Sequence, residues 1–506
     1  MENTRNFTHL HVHTGFSLLD GSSKIKELVK KTKELKEYQD TPSSQEDLEK
    51  IPMLELSDIK REPAKDYNDV KSVDGIKIVH HNIFTNKIAY INMSFDTKCV
   101  PDELIPYMGL LGSTLSLMDT KNYTYPELTN EININCGGLA TGTALYSDKV
   151  DFSKNTIVYE VKSKALYEKV PFVLGMMEEI MYNTRFDDYK RLKEIIARIK
   201  SRLEASLMGQ GHSIAMLECC AQFSESAYYS DILRGYKYYE FIKKLDEEFE
   251  QNKTQIVDKL NKLVGYIFNK DNVIVSLTAD DEGYDCFVKA LSAKSCNIKD
   301  EHYNTAVRSF IPVNVKTGYT SASQVQYVAR CGNFVKDGYK YTGALKVLKV
   351  IFSYDYLWIN VRVKGGAYGC MSGSSRNGDF YMVSYRDPNL EKTNDIYEGA
   401  ADYIRNFDVS RRDMVKFIIG TIGEIDAPLT PSAIGSRSFT HYMCNCTEDM
   451  LRKDREEVLD ATVESIRELA PLIESAVVQN YLCVVGNQKQ INEAADLFDE
   501  IKPLIG

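Results

Sequence analysis

The order of apolar and polar positions along this chain runs through one pattern twice. Alternating segments at residues 76–79 and 89–95 predict strands, and the apolar-rich stretch 101–118 predicts a helix. A Gly137-Gly138 corner follows, then a strand at 157–161 and helices over 171–183 and 187–208. In the last of these, Leu192, Ile195, Ile196, Ile199 and Leu203 fall at helical spacing. The second half repeats the order at a nearly constant offset: Gly365-Gly366 answers Gly137-Gly138, a strand at 380–383 answers 157–161, and Asn406-Phe407-Asp408 before a helix answers Thr184-Arg185-Phe186-Asp187. A strand at 272–277 after a long helix is matched by another at 480–485. The expected fold class is α+β: two tandem homologous domains, residues 71–297 and 298–506, each a mainly antiparallel sheet with helices packed on one face.

One stretch of the second copy carries more chemistry than its place in the repeat requires. Residues 357–363, L-W-I-N-V-R-V, alternate and contain the only tryptophan; Gly365-Gly366 and Tyr368 follow. The alternation predicts a strand edge that presents the Arg362 guanidinium and the Tyr368 phenol to a polar group lying along it. The glycines would let another backbone approach. Where the second copy has Ala367 and Tyr368 after its Gly-Gly, the first has Leu139 and Ala140.

The first 36 residues differ in character. F-T-H-L-H-V-H-T at 7–14 alternates strictly, which puts His9, His11 and His13 on one strand face, a metal-ligand pattern. A helix with Ile25, Leu28, Val29 and Leu35 on one stripe comes next, and residues 37–70, broken by Pro42, Pro52 and Pro63, read as a linker.

At 506 residues the chain exceeds one core and predicts several domains. A net charge of −10 argues against phosphate-tracking nucleic-acid binding. With no apolar run of about 18 residues and no signal core, the chain reads as cytoplasmic with no membrane partner. The 11 cysteines include no C-x-x-C and predict free thiols. Of the eight histidines only His9 and His13 stand four residues apart, with Val12 where H-x-x-E-H needs its Glu, so that motif is absent, and neither a Walker loop nor a G-x-S-x-G elbow occurs.

Two resemblances add to this. The opening F-T-H-L-H-V-H-T, S-L-L-D-G and I-K-E-L-V-K resembles the start of the polymerase-and-histidinol-phosphatase domain of bacterial DNA polymerase III alpha subunits. It implies His11 and His13 as a first ligand pair with Asp20 nearby, a vestigial partial set on a fragment with no fold of its own, joined by fusion or assembly. From residue 37 onward E-Y-Q-D-T-P-S-S-Q-E-D-L-E-K-I-P, S-F-I-P-V-N-V, V-R-V-K-G-G-A-Y-G and S-Y-R-D-P-N occur in order. This text is similar to the C-terminal half of insulinase-type zinc metallopeptidases, closest to the presequence-protease subgroup.

That second resemblance implies a third-domain-like unit at 71–297 and a fourth-domain-like unit at 298–506, part of a clam that closes on an unfolded peptide. Arg362 and Tyr368 would reach the substrate backbone at the active site, with Gly365 and Gly366 beside it. No cofactor is expected on this chain alone. Zinc is expected only from a complementary half in trans, because Tyr107, Leu110 and Leu111 stand where the zinc helix would carry its ligands. Two other readings stand beside this one: a non-catalytic peptide-binding or structural module, and a polymerase-related protein judged from the first 36 residues.

Overall fold

The computed structural model describes residues 24–41, 44, 46, 47, 50, 54–293 and 297–505, so the predicted set His11, His13 and Asp20 lies outside the described residues. The chain divides into two units, 1–58 and 59–506. In the first, the described residues form the helix Ile25–Asp40 and a short turn, Leu56–Asp58. No residue of that helix is buried; of its predicted apolar stripe Ile25, Val29 and Leu35 are exposed and Leu28 is half-buried.

The second unit holds two six-stranded sheets. The first is built from β1 (Asp69–Val73), β2 (Ile76–Asn82), β3 (Ile88–Asp96), β4 (Leu139–Ser147), β5 (Asn155–Leu166) and β6 (Val273–Ala279) in the order β1-β2-β6-β3-β5-β4. The second uses β7 (Thr317–Ser321), β8 (Tyr327–Asn333), β9 (Gly369–Ser374), β10 (Asp379–Tyr385), β11 (Tyr481–Asn487) and β12 (Glu500–Pro503) in the order β12-β7-β11-β8-β10-β9. Strand for strand, β7 takes the place of β2, β11 of β6, β8 of β3, β10 of β5 and β9 of β4. Pairing is antiparallel except for β2 with β6, β7 with β11 and β7 with β12. The repeat read from the sequence is thus a repeat of topology.

Alternation along each strand sends one set of side chains into a helical core. In the first sheet Ile91, Met93 and Phe95 of β3 and Ile157, Tyr159 and Val161 of β5 pack with Met108, Leu111, Ile180 and Ile196 of the covering helices. The opposite faces are covered reciprocally between the copies. The helix Pro431–Met443, from the second copy, lies on the first sheet with Phe439 against Val79, Tyr146 and Val158. Its Gly435 meets β6 so closely that a Cβ there would stand 1.9 Å from Thr278 Oγ1. In return the helix Gly211–Ala221, from the first copy, sets Ala215, Cys219 and Cys220 against Ala329, Cys331, Val383 and Cys483 of the second sheet.

The end of the stretch expected to be a linker is held down. Asp66 accepts from His441 Nδ1 at 2.6 Å and from Arg437 Nε at 3.2 Å, and the Tyr67 amide donates to Ser438 Oγ at 3.1 Å. His81, on β2 beneath it, donates through Nδ1 to the Tyr67 carbonyl and bonds Ser276 Oγ through Nε2 at 2.9 Å; burial drives its imidazole down to about 4.

Candidate functional site

Residues 357–363 are not the strand edge that their alternation predicts. The helix Ala344–Tyr354 is followed by a wide helical turn, Trp358–Val363, in which the Lys364 amide donates to the carbonyl five residues back, Ile359, at 2.9 Å. Leu357 and Val361 are fully buried, four residues apart, so the apolar positions that mimic alternation are anchors of a helical face. The first copy carried the signal: the helix Tyr125–Asn135 precedes its Gly137-Gly138 corner in the same way.

After the turn, Gly366 takes a left-handed backbone at φ +87° and Gly365 lies against its own turn, where a Cβ would stand 2.4 Å from the Val361 carbonyl. The close approach expected at these glycines is made by the chain itself. The Tyr368 amide then joins Tyr385 of β10 at 3.1 Å, and β9 begins as the edge strand of the sheet.

This corner brings Arg362 and Tyr368 together. The Arg362 guanidinium carbon lies 3.9 Å from the centroid of the Trp358 ring and 5.9 Å from that of Tyr368. An indole face is a favourable seat for a cation and holds it without neutralising it. Among the described residues no carboxylate pairs with Arg362, and the Tyr368 hydroxyl has no hydrogen-bond partner; its side chain is 67% exposed. Beneath them burial pushes the Cys370 thiol up to about 11, against the opposing pull of Arg362.

The S-Y-R-D-P-N segment braces the corner, a role that sequence reading did not give it. Asn389 Nδ2 donates to the Gly365 carbonyl at 2.6 Å, and the Asn389 amide donates to Asp387 Oδ1 at 2.9 Å. Asp387 is fully buried, accepts from Thr393 Oγ1 at 2.7 Å, and exchanges backbone bonds with Gln326 at the start of β8. Burial holds its carboxyl above the usual range. The glycine corner is thereby fixed to the centre of the sheet.

In Ile105–Thr114, the helix that the resemblance sets in the place of a zinc helix, the side chains of Tyr107, Leu110 and Leu111 are buried in the core. Among the described residues Asp271, Asp300 and His302, all exposed, are a group of ligand-type side chains close enough to share an ion. Sequence reading missed them because the connection after β6 brings them together.

Residues 16–245 match the family of domains associated with subgroup C of the M16 peptidases, and residues 318–487 match the PreP C-terminal domain. Protein HypA of Clostridium perfringens is 39% identical over 95% of this chain and 49% of its own length. Presequence protease 1, chloroplastic/mitochondrial, of Arabidopsis thaliana is 30% identical over 95% of this chain and 45% of its own. The chain spans about half the length of these curated relatives. A crystal structure of a peptidase M16 inactive domain from Pseudomonas fluorescens superposes with a TM-score of 0.56 at 15% identity, covering 86% of this chain and 98% of that one, which shows a shared fold. The chain therefore carries C-terminal-type domains of the M16 peptidases and is related to presequence proteases. The polymerase-like reading of residues 1–36 finds no support in these matches, and the first family match begins at Phe16, within them.

Proposed function

We propose that these M16 C-terminal domains form the assisting half of a peptide-degrading zinc metallopeptidase, with Arg362 and Tyr368 acting on the substrate and the metal held by a half that these residues do not include. The observation that carries this reading is a guanidinium seated on an indole, unpaired with any acid among the described residues, beside an exposed phenol with no partner. The two buried arginines of the same copy, by contrast, are engaged. Arg330 is bonded to Asn394, Glu398 and the Val477 carbonyl, and Arg455 to both oxygens of Asp426. Hydrolysis of a peptide bond builds negative charge on the former carbonyl oxygen, and donors fixed in advance toward that oxygen lower the barrier. Tyr368 supplies the hydroxyl donor, and Arg362 holds the neighbouring backbone carbonyl or shares the same charge.

The test is complementation. Purified chain should not cleave a fluorogenic peptide, should do so when mixed with the zinc-bearing half of a presequence protease, and should lose about 10²–10³-fold of that turnover in Arg362→Ala or Tyr368→Phe. Cleavage by the chain alone with one equivalent of zinc would refute the reading. A second reading, a non-catalytic peptide-binding module, is favoured by the edge position of β9, whose free side could take an extended peptide as an added strand. Unchanged turnover with altered peptide retention in Arg362→Ala would favour it.

A further inference from the structure

The first sheet has its own opening, at the same place in the repeat as the Arg362 corner. On the face opposite its helical core, three adjacent strands align in rows: Thr278, Tyr90 and Lys164 in one, Ser276, Asn92 and Lys162 in the next. The helix Pro431–Met443 covers part of this face and leaves a cavity of about 420 Å³ bounded by these rows, the Gly137-Gly138 corner and the helix residues Ser436 and Phe439.

The polar groups in it are unevenly satisfied. The buried Glu160 carboxylate takes Asn92 Nδ2 at 2.8 Å, Tyr146 Oη at 3.1 Å and Lys162 Nζ at 2.5 Å, so its charge is met by Lys162. Because the Asn92 amide nitrogen faces that carboxylate, its oxygen Oδ1 is the free atom, and it is buried with no partner. Lys164 has no carboxylate among the described residues. Its stem lies flat on Gly137, where a Cβ would stand 2.6 Å from Cε, and the exposed side chain forms part of the cavity rim. Ser432 and Ser436 bring the first turns of the covering helix, the positive end of its dipole, to the same wall.

One uncompensated cation, helix-end polarity and one buried acceptor describe a ligand with a single negative charge and an N–H beside it. We infer that this cavity binds the carboxylate end of a peptide: the α-carboxylate on Lys164 and the covering helix's hydroxyls, the last N–H on Asn92 Oδ1, and the terminal side chain against Tyr90 and Phe439. A buried acceptor left unmatched costs free energy, and the peptide N–H removes that cost. This site uses neither Arg362 nor Tyr368 and does not depend on the role proposed for them.

Calorimetric titration of the full chain tests it with the tetrapeptide acetyl-Gly-Ala-Ala-Leu as free acid and as C-terminal amide. The free acid should bind, and the amide should bind about tenfold more weakly or not at all. Lys164→Met keeps the stem on Gly137 and should weaken the free acid by about tenfold. Ser436→Phe fills the cavity from the helix side and should abolish binding. Equal binding of acid and amide, no effect of Lys164→Met or Ser436→Phe in folded protein, or no binding of the free acid would each overturn the assignment. Displacement by equimolar inorganic phosphate would mark a bare anion site and overturn it as well.

Discussion

Arg362 and Tyr368 show how little of a candidate side chain's setting is local. Their identity and spacing were legible in the sequence, and so was the asymmetry between the two Gly-Gly corners. Their backbone was not, because a helical turn with anchors at Leu357 and Val361 produces an apolar alternation over seven residues that a short strand would also produce. The two glycines make separable predictions. Gly366→Ala forces a side chain into the left-handed region and should cost roughly 1 kcal/mol. Gly365→Ala sets a Cβ against the Val361 carbonyl, which must move, and should cost more, about 1–3 kcal/mol by the measure of overpacked sites. Denaturant titrations of both variants check the order, and the reverse order would mean that the corner is looser than its hydrogen bonds indicate.

At the scale of elements, the helices most easily read from period were placed correctly, but their destinations were not legible. The helix Gly211–Ala221 follows directly on Tyr189–Gly209 and yet belongs to the second sheet, because Ala215, Cys219 and Cys220 fit against strands more than 100 residues later in the chain. Its far side meets a buried acid pair. Glu218 faces Asp231 of the helix Glu225–Arg234, accepts from Tyr319 Oη of β7 at 2.9 Å, and has Lys237 near its partner, with the Asp231 to Lys237 distance 3.4 Å. Burial first, and Asp231 second, push the Glu218 carboxyl up to about 8 from its ordinary 4.5. A raised acid binds its proton more tightly folded than unfolded. Its stabilising contribution is therefore complete below about 4.5 and is lost as pH rises through about 8. Melting temperature should fall between about pH 5 and 9, and Glu218→Gln, which cannot ionise, should flatten that fall. An unchanged pH slope in the variant would show that Glu218 does not carry it.

Over the whole second unit, the reciprocal covering of the two sheets has a consequence for how it unfolds. If each copy of the repeat were a self-sufficient domain, as 71–297 and 298–506 suggest, the two would melt independently. Instead each sheet owes the cover of one face to a helix of the other copy: Phe439 of Pro431–Met443 on the first, and Cys219 and Cys220 of Gly211–Ala221 on the second. Detaching either copy would expose apolar surface on both sheets at once, and hydrophobic burial is the dominant favourable term in folding. Residues 59–506 should then show a single calorimetric transition, with calorimetric and van't Hoff enthalpies in agreement. Gly435→Leu tests the coupling where it is tightest. No side chain fits between the helix and Thr278, where even a Cβ would stand 1.9 Å from Oγ1, so the variant must lift the helix from the first sheet. The expected result is a lower transition that broadens or splits, with the second sheet retaining the higher melting part because its own cover is untouched. Two resolved transitions in the unaltered protein would show that the copies stand alone and that the exchanged helices add little to either.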